Sequence, residues 1–445
     1  MEHTNEYYRK RIDNVEYANK AVKGCLRKMH IRNYIPGQVI YNLGEYPNKM
    51  TIKPMEYDYN LIKNLAENGV GLIQIHEEWN DALRIMGADK YSCHDKEGLK
   101  EFISLCHSFS IKVIPYLSSG FFDESDPDYS EKFVTSRDSI LVQNYYRYRC
   151  CSATSPEWNK YLFDNLRRVM EEYEFDGIFN DMGYDRRDRD GKLYGMEDYD
   201  PYIEDLLVRM YSVVSGEYGG IVKLHIGELQ VPVTDERIYD YLWVGESCKT
   251  SDELLKTINY KPYVIPCPDY KFTNETNGDI YFSRALPFLQ FLLRLDGRPI
   301  NGERSCAPGV EYHEDAESRH FEKIREYYLA HPNGPYVYSE WSDIPDDERL
   351  REKWFEYLKL YKPMVSEDSQ CFIDIAPDND ITATPFISDV HMSVFVNDEC
   401  YLCISNLGGA DSKIAFKESW LNRVTGETVT ETEIPAGGMV FLKKI

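Results

Sequence analysis

The sequence of 445 residues predicts an α/β fold, a (β/α)8 TIM barrel followed by a small all-β sandwich domain. Three observations lead to this prediction. Short apolar runs typical of buried strands alternate with helical segments over residues 36–364. Three of these runs end in an acid, which is costly in a core but expected at the carboxyl-terminal rim of a barrel. Residues 365–445 change to alternation with a period of two, which is typical of a β-sandwich.

The first elements are a helical lead-in and the barrel. Residues 1–35 include a charged, helix-prone stretch that we interpret as the lead-in. Eight strands follow, the number that a (β/α)8 barrel requires: Val39–Leu43, Val70–Ile75, Lys112–Leu117, Gly177–Asn180, Ile221–Ile226, Tyr241–Val244, Tyr263–Pro266 and Tyr336–Tyr338. Apolar residues at helical spacing predict helices between them, among them Tyr59–Asn68, Lys96–Phe109, Glu157–Tyr173 and Asp346–Tyr361. Ser155 suits the N-cap of the third helix and Pro156 its first position.

Composition and charge indicate which partners to exclude and in which compartment the protein works. The net charge of −24 repels phosphate backbones and anionic membranes, so we expect neither nucleic-acid nor membrane binding. No stretch approaches the ~20 apolar residues of a membrane span. The N-terminus is polar and lacks the apolar core of a secretory signal. The eleven cysteines are odd in number and scattered, which predicts reduced thiols in a cytoplasmic protein. The oligomeric state stays open, a homo-oligomer included.

The acids at the strand ends point to a reaction. Asp181, Glu228 and Glu246 each follow an apolar run, so three successive strands aim carboxyl groups at one cavity. Cleavage of a glycosidic bond needs such a pair, one carboxylate to attack and one carboxyl to release the leaving oxygen. The sequence therefore predicts a glycoside hydrolase that acts on a carbohydrate, without metal or cofactor. We expect it to be retaining and exo-acting.

Short motifs carry a family resemblance. A barrel followed by a β-sandwich resembles the α-amylase superfamily and the melibiase-type α-galactosidases. The run from Asp176 to Asp181 is similar to their fourth-strand motif, and this implies that Asp181 is the nucleophile. Ile226-Gly-Glu228 is similar to the fifth-strand motif of the amylases, which implies an acid/base role for Glu228, whereas the melibiase-like pattern implies that role for Glu246. The chain departs from the amylase pattern at Phe179, where that pattern has Arg, and from the melibiase pattern in lacking the fourth-strand Lys. We therefore expect a divergent family.

The roles of the acids follow from their positions. Asp181 is the best candidate nucleophile, the alternative being a structural pair with an arginine of the next loop. Asp176 precedes the same strand, so we interpret it as structural. Glu246 is slightly favoured over Glu228 as the acid, because the apolar ring of Trp243 belongs to the same strand, three residues before it. Apolar surroundings raise the pKa of a carboxyl group, as a proton donor requires.

Further rim residues are candidates for sugar binding. An aromatic ring stacks on the apolar face of a sugar, and polar groups bind its hydroxyls. The candidates lie in or directly after the second, third, fifth, sixth and seventh strands: His76, Glu78, Trp79, Tyr116, His225, Trp243 and Asp269.

Two other functions stay open. One is a metal-dependent sugar isomerase-type barrel enzyme, with His76, Asp181, His225 and Glu228 as ligands of a divalent ion. No short His-x-His spacing supports it. The other is a carbohydrate-binding barrel without catalysis.

Overall fold

The protein is represented by a computed structural model. The structure describes residues 3–43, 52–75, 79, 91–93, 95–123, 126–134, 140–143, 146–181, 201–225, 237–248, 250–259, 263–268, 279–298 and 348–445. The strands of this part of the chain are β1 (Cys25–His30), β2 (Gln38–Asn42), β3 (Leu72–Ile75), β4 (Lys112–Ser118), β5 (Phe121–Asp123), β6 (Ile140–Gln143), β7 (Tyr146–Cys150), β8 (Gly177–Asp181), β9 (Ile221–His225), β10 (Tyr241–Cys248), β11 (Val264–Pro268), β12 (Arg294–Gly297), β13 (Gln370–Ile375), β14 (Val390–Val396), β15 (Cys400–Asn406), β16 (Ser412–Asn422), β17 (Thr428–Ile434) and β18 (Met439–Lys444). The α-helices are α1 (Asn5–Ala21), α2 (Glu56–Glu67), α3 (Lys96–Ser108), α4 (Pro156–Tyr173), α5 (Pro201–Tyr211), α6 (Ser251–Lys256), α7 (Asp279–Ala285) and α8 (Glu348–Tyr361).

The larger sheet is the predicted barrel-like sheet. Its eight strands run in the order β11-β10-β9-β8-β4-β3-β2-β12, and the registered pairs from β10 to β12 are parallel. The amide of Leu293, just before β12, donates to the carbonyl of Pro266 on β11 at 2.8 Å, which joins the two ends of this order. β2, β3 and β11 are buried along their whole length, as apolar runs in a parallel sheet should be. The predicted (β/α)8 architecture is confirmed.

The eighth strand differs from the prediction. The segment Tyr336–Tyr338 lies outside the described residues, and the eighth strand of the sheet is β12. Its sequence, Arg294-Leu-Asp-Gly297, does not look like a buried strand because it carries two charges. The structure buries both, with Arg294 Nε 2.9 Å from Asp296 Oδ2, so each charge compensates the other. Hydrophobic pattern alone cannot detect such a strand.

The helices follow the predicted pattern closely. α4 begins as expected, because the Ser155 side chain accepts a hydrogen bond from the Trp158 amide and Pro156 occupies the first turn. Its buried face includes Leu162, Leu166 and Val169, spaced for one side of a helix. Between β4 and α4 the chain forms a separate small antiparallel sheet in the order β5-β7-β6. None of the described helices is long and apolar enough to cross a membrane.

The second large sheet is antiparallel, as the period-two pattern predicts. Its order is β1-β13-β14-β15-β18-β16-β17. It encloses a core that includes Phe372, Met392 and Trp420, and Ala18 and Ala21 belong to the same core. The N-terminal segment, which we expected to be a separate lead-in, therefore contributes residues of α1 to this core and β1 as an edge strand of this sheet.

The chain divides into two compact units. One consists of Met1–Gly37, Gly245–Leu293 and Glu348–Ile445, and the other of Gln38–Val244 and Arg294–Asp347. This grouping differs from the expected division into 1–35, 36–364 and 365–445. Pairing of β1 with β13 explains the first difference, because it joins the N-terminal segment to the C-terminal sheet.

Candidate active site

The candidate site is centred on Asp181, the last residue of β8. The first four residues of β8 are buried and Asp181 is partly exposed. At the other end of the strand, Gly177 lets β8 and β9 come close together. A β-carbon there would lie 2.0 Å from the carbonyl oxygen of Ile221, and φ is +151°, a value that glycine adopts readily. The sequence thus buries the strand and leaves its terminal carboxylate at the carboxyl rim, where barrel enzymes carry their chemistry.

Side chains from both neighbouring strands bind this carboxylate. Tyr116 on β4 donates its hydroxyl proton to Oδ2 of Asp181 at 2.9 Å. Nδ1 of His225 on β9 lies 2.9 Å from Oδ1 of Asp181. An ionised carboxylate only accepts hydrogen bonds, so Nδ1 is the protonated nitrogen when Asp181 is ionised. Both oxygens are thereby fixed, while a third of the Asp181 side chain stays accessible.

The register of the strands explains this meeting. Asp181 lies opposite Ser118 of β4 on one side and opposite His225 of β9 on the other. Paired residues in a sheet project to the same face, as do residues two apart along a strand. Tyr116 is two residues before Ser118 and reaches Asp181 with its long side chain.

An aromatic cluster lies beneath the carboxylate. The His225 ring stacks on Trp243 of β10, with centroids 5.2 Å apart and an angle of 28° between the planes. Trp243 in turn packs on Phe179, two residues before Asp181, at 4.6 Å. Tyr116 also contacts Phe179, with a centroid distance of 5.8 Å. The packed rings hold Tyr116 and His225 in place beside the Asp181 carboxylate.

Trp79 and Trp243, two of the residues proposed from the sequence for sugar binding, are buried. Trp79 is fully buried, and its indole N–H donates to the Tyr116 carbonyl at 2.8 Å. Its ring meets Tyr173 and Phe175 edge-on. Trp243 is 1% exposed. Both rings are enclosed rather than open to a ligand, in contrast to the stacking surfaces expected from the sequence; they support the strands under Tyr116 and His225.

Asp176, at the amino end of β8, has structural contacts as predicted. Its Oδ2 accepts a hydrogen bond from the Val113 amide at 2.8 Å and lies 2.8 Å from Nε2 of His107. Its backbone amide and carbonyl bond to Val113 and Ile221, so the residue is bound into the sheet.

The remaining predicted residues cannot be compared with the structure. His76, Glu78, Glu228 and Asp269 lie outside the described residues. Glu246 lies on β10, and its side chain is outside the described part. Within the described part, no group of three or more His, Cys, Asp or Glu side chains is arranged to hold a metal ion.

Sequence reasoning passed over Lys223, which packs against the rings of the candidate site. It lies in the middle of β9 and is fully buried, with its ammonium over the rings of Phe179 and Trp243. The signal was a single lysine within the apolar run Ile221-Val-Lys-Leu-His225, two residues before the histidine.

Comparisons with known proteins support the fold. No family model matches the chain, and no curated protein sequence matches it. Several solved structures do match. They include a noncanonic maltogenic α-amylase from Thermotoga neapolitana, with 12% identity, a TM-score of 0.52 and coverage of 92% of this chain and 98% of that one.

Two further α-amylases match to a similar degree. One is from Geobacillus thermoleovorans, solved with acarbose, with 10% identity, a TM-score of 0.53 and coverage of 92% and 98%. The other, from Anoxybacillus, has 10% identity, a TM-score of 0.51 and coverage of 92% and 97%. At such identities the likeness establishes the fold alone, and that fold is the barrel with a C-terminal β-domain of α-amylase-type structures.

Proposed function

We propose that this chain is a glycoside hydrolase in which Asp181 is the nucleophile and Glu228 or Glu246 is the general acid and base. The observation that carries the proposal is the setting of the Asp181 carboxylate. It ends a buried barrel strand, is partly accessible, and has one oxygen bonded to Tyr116 and the other to His225.

This setting suits nucleophilic attack at an anomeric carbon. Attack requires a carboxylate oxygen held in one direction, and two hydrogen bonds from neighbouring strands restrict rotation of the Asp181 carboxylate. The enclosed rings of Phe179 and Trp243 exclude water from below, so the accessible third of the side chain is where a substrate can approach.

The proposed reaction has two steps. An Asp181 oxygen first attacks the anomeric carbon while the protonated glutamate gives its proton to the leaving oxygen. The glycosidic bond breaks as a glycosyl ester forms. The ionised glutamate then takes a proton from water, and the water oxygen displaces Asp181 from the sugar. Two inversions at one carbon give net retention.

Short α-glucosides are the proposed first substrates, with release of the terminal sugar. The matched structures are described as α-amylases, one of them maltogenic. A neutral sugar is also compatible with the net charge of −24, which disfavours anionic ligands.

The test is turnover of a panel of aryl α- and β-glycosides and malto-oligosaccharides by the wild type, by Asp181→Asn and by Asp176→Asn. Asp176 is a matched control, since it directly precedes the same strand and also pairs with a histidine. We expect Asp181→Asn to remain folded and to lose at least about a thousandfold in kcat. Asp176→Asn should keep its kcat. Equal activity of Asp181→Asn and wild type would refute the assignment.

The acid/base role is decided by a second pair of variants, Glu228→Gln and Glu246→Gln. Loss of the acid slows cleavage of poor leaving groups much more than cleavage of dinitrophenyl glycosides, which need no protonation. Azide should restore turnover of the dinitrophenyl substrate only in the variant that lacks the acid/base. NMR of the product anomer in the first minutes then distinguishes retention from inversion.

Two outcomes would favour the other functions. Wild-type turnover that is lost in EDTA and restored by a divalent ion would indicate a metal-dependent enzyme. Saturable binding of an oligosaccharide without any turnover would indicate a carbohydrate-binding barrel.

A further inference from the structure

A fully buried lysine lies one layer below the candidate nucleophile. Lys223 is 0% exposed and lies between Phe179 of β8 and Tyr241 of β10 in the strand register. Its ammonium is 5.7 Å from the centroid of the Phe179 ring and 5.3 Å from that of Trp243. These are distances at which a cation is attracted to a ring face.

Lys223 is connected to Asp181 by two routes. Along β9, Lys223 and His225 are two residues apart on one face, and along β8 the same holds for Phe179 and Asp181. Residues two apart along a strand are about 6–7 Å apart, so the backbone of Lys223 lies one such layer below the residues that hold the carboxylate. The second route is packing, since Trp243 contacts both the ammonium and the His225 ring that binds Asp181.

A buried cation has an electrostatic consequence for a nearby carboxylate. Removing an ammonium from water is unfavourable, so a buried lysine requires compensation from its surroundings. The two ring faces supply part of this compensation. In a medium of low polarity the positive charge also acts over a longer range than in water, and it favours the ionised form of a neighbouring carboxyl group.

We propose that Lys223 is a positioning residue that keeps Asp181 ionised and, through Trp243, keeps His225 aligned with it. The inference rests on the proposed function, because only a nucleophile must stay ionised while its partner carboxyl stays protonated. The positive charge of Lys223, placed one layer below Asp181, would favour ionisation of that carboxyl group.

The other titratable groups of this layer are few among the residues that the structure describes. They are Tyr116 on β4, His225 on β9 and Tyr241 on β10, besides Asp181 itself. A titration that reports Asp181 must therefore distinguish protonation of Asp181 from protonation of His225. NMR signals of labelled histidine rings allow this, because the His225 ring is bonded directly to the carboxylate and responds to both events.

The first experiment is an NMR pH titration of ring-labelled histidines in wild type and in Lys223→Met, which removes the charge and keeps the length of the chain. The His225 signal is assigned by its absence in His225→Gln. We expect the acidic inflection of this signal, which reports Asp181, to move to higher pH by about one unit in Lys223→Met. In Lys223→Arg, which keeps the positive charge, the inflection should stay at its wild-type pH.

Lys112→Met is the matched control, because Lys112 is an exposed lysine at the amino end of β4. It should leave the inflection in place. An unchanged inflection in a folded Lys223→Met variant would overturn the proposal. Failure of both Lys223→Met and Lys223→Gln to fold, with Lys223→Arg folded, would also overturn it, in favour of a role in stability alone.

Kinetics supply the second readout. If the wild type is a glycosidase, the acidic limb of its kcat/KM profile should move to higher pH in Lys223→Met by the same amount as the NMR inflection. A uniform fall in kcat with an unmoved limb would contradict the proposal. If the wild type cleaves no glycoside, the proposed function fails, whereas the NMR titration still decides whether Lys223 controls the charge on Asp181.

Discussion

The two ends of β8 carry the same pair of residue types with different surroundings. At the amino end, Asp176 bonds to His107 and to the backbone amide of Val113. At the carboxyl end, Asp181 bonds to His225 and to the hydroxyl of Tyr116. The first aspartate binds a main-chain donor and ties strands together, whereas the second is held by side chains over an aromatic cluster. An Asp–His contact therefore has no function of its own, and its position on the strand decides what it can do.

The largest effect is expected from Gly177→Ala, which tests whether the amino end is scaffold. The new β-carbon would lie 2.0 Å from the Ile221 carbonyl oxygen, so we expect a loss of about 3 kcal/mol or more in the free energy of unfolding. Gly426→Ala is the control, since φ there is +76° and no atom lies within 4 Å. It should cost about 1 kcal/mol. Urea unfolding measures both, and equal losses would contradict this explanation.

The histidines distinguish the two ends directly. His225→Gln removes the Nδ1 contact with Asp181, and we expect kcat/KM to fall about 10–100-fold because the carboxylate loses its alignment. His107→Gln should leave turnover unchanged and lower the free energy of unfolding by about 0.5–1 kcal/mol. Steady-state kinetics and thermal unfolding of both variants provide the measurement. Equal dependence of turnover on His107 and on His225 would contradict the different roles assigned to the two ends of β8.

A smaller effect is expected at the indole that supports β4. Trp79→Phe removes the donor to the Tyr116 carbonyl, and this should cost about 1–2 kcal/mol. Trp354→Phe is a close match, because that indole also donates to a backbone carbonyl, Leu292, at 2.8 Å. We expect similar losses of stability in both variants and slower turnover only in Trp79→Phe. Slower turnover in both would show that the effect comes from general destabilisation.

The smallest effect concerns the ion pair between Lys96 of α3 and Glu172 of α4, the helices that precede β4 and β8. A hydrogen bond from Lys96 lowers the pKa of Glu172 below its ordinary value of 4.5. A lowered pKa in the folded state stabilises the protein above the unfolded pKa, and the contribution is lost as the pH falls through the folded value. Lys96→Met should therefore cost about 0.5 kcal/mol at pH 7, and the difference should shrink progressively as the pH falls below 4.5 into strong acid. Unfolding in urea at both pH values checks this, and a difference that persists in acid would exclude the ion pair as its cause.

Much of the barrel could be predicted because its strands are continuous apolar runs. The strands that contain Val39, Ile73 and Phe179 are read from composition alone, and Asp181 follows from the rule that chemistry lies at the carboxyl rim. Strand β12 escaped prediction because Arg294 and Asp296 are buried by pairing with each other. Such compensation depends on three-dimensional proximity and leaves no trace in hydrophobic pattern.

Sequence reasoning selected the residues at the centre of the candidate site but not the residues that pack beneath them. The positions of Tyr116 and His225 beside Asp181 follow from strand register, which places them on one face. The enclosure of Trp79 could not be predicted, because a tryptophan after a strand has the same sequence signature whether its ring is open or covered. Lys223 was passed over for a related reason, since a lysine is ordinarily assigned to the surface.

Pairing of β1 with β13 has a consequence for the order in which the protein can assemble. Cys25 lies opposite Ile375, so the two strands are separated by roughly 350 residues of chain. At a synthesis rate of about 5–20 residues per second, β1 waits roughly 20–70 s for its partner. During this time its backbone donors and acceptors on that edge are open to other chains. Truncation or tagging near Cys25 should therefore lower the soluble yield of the protein.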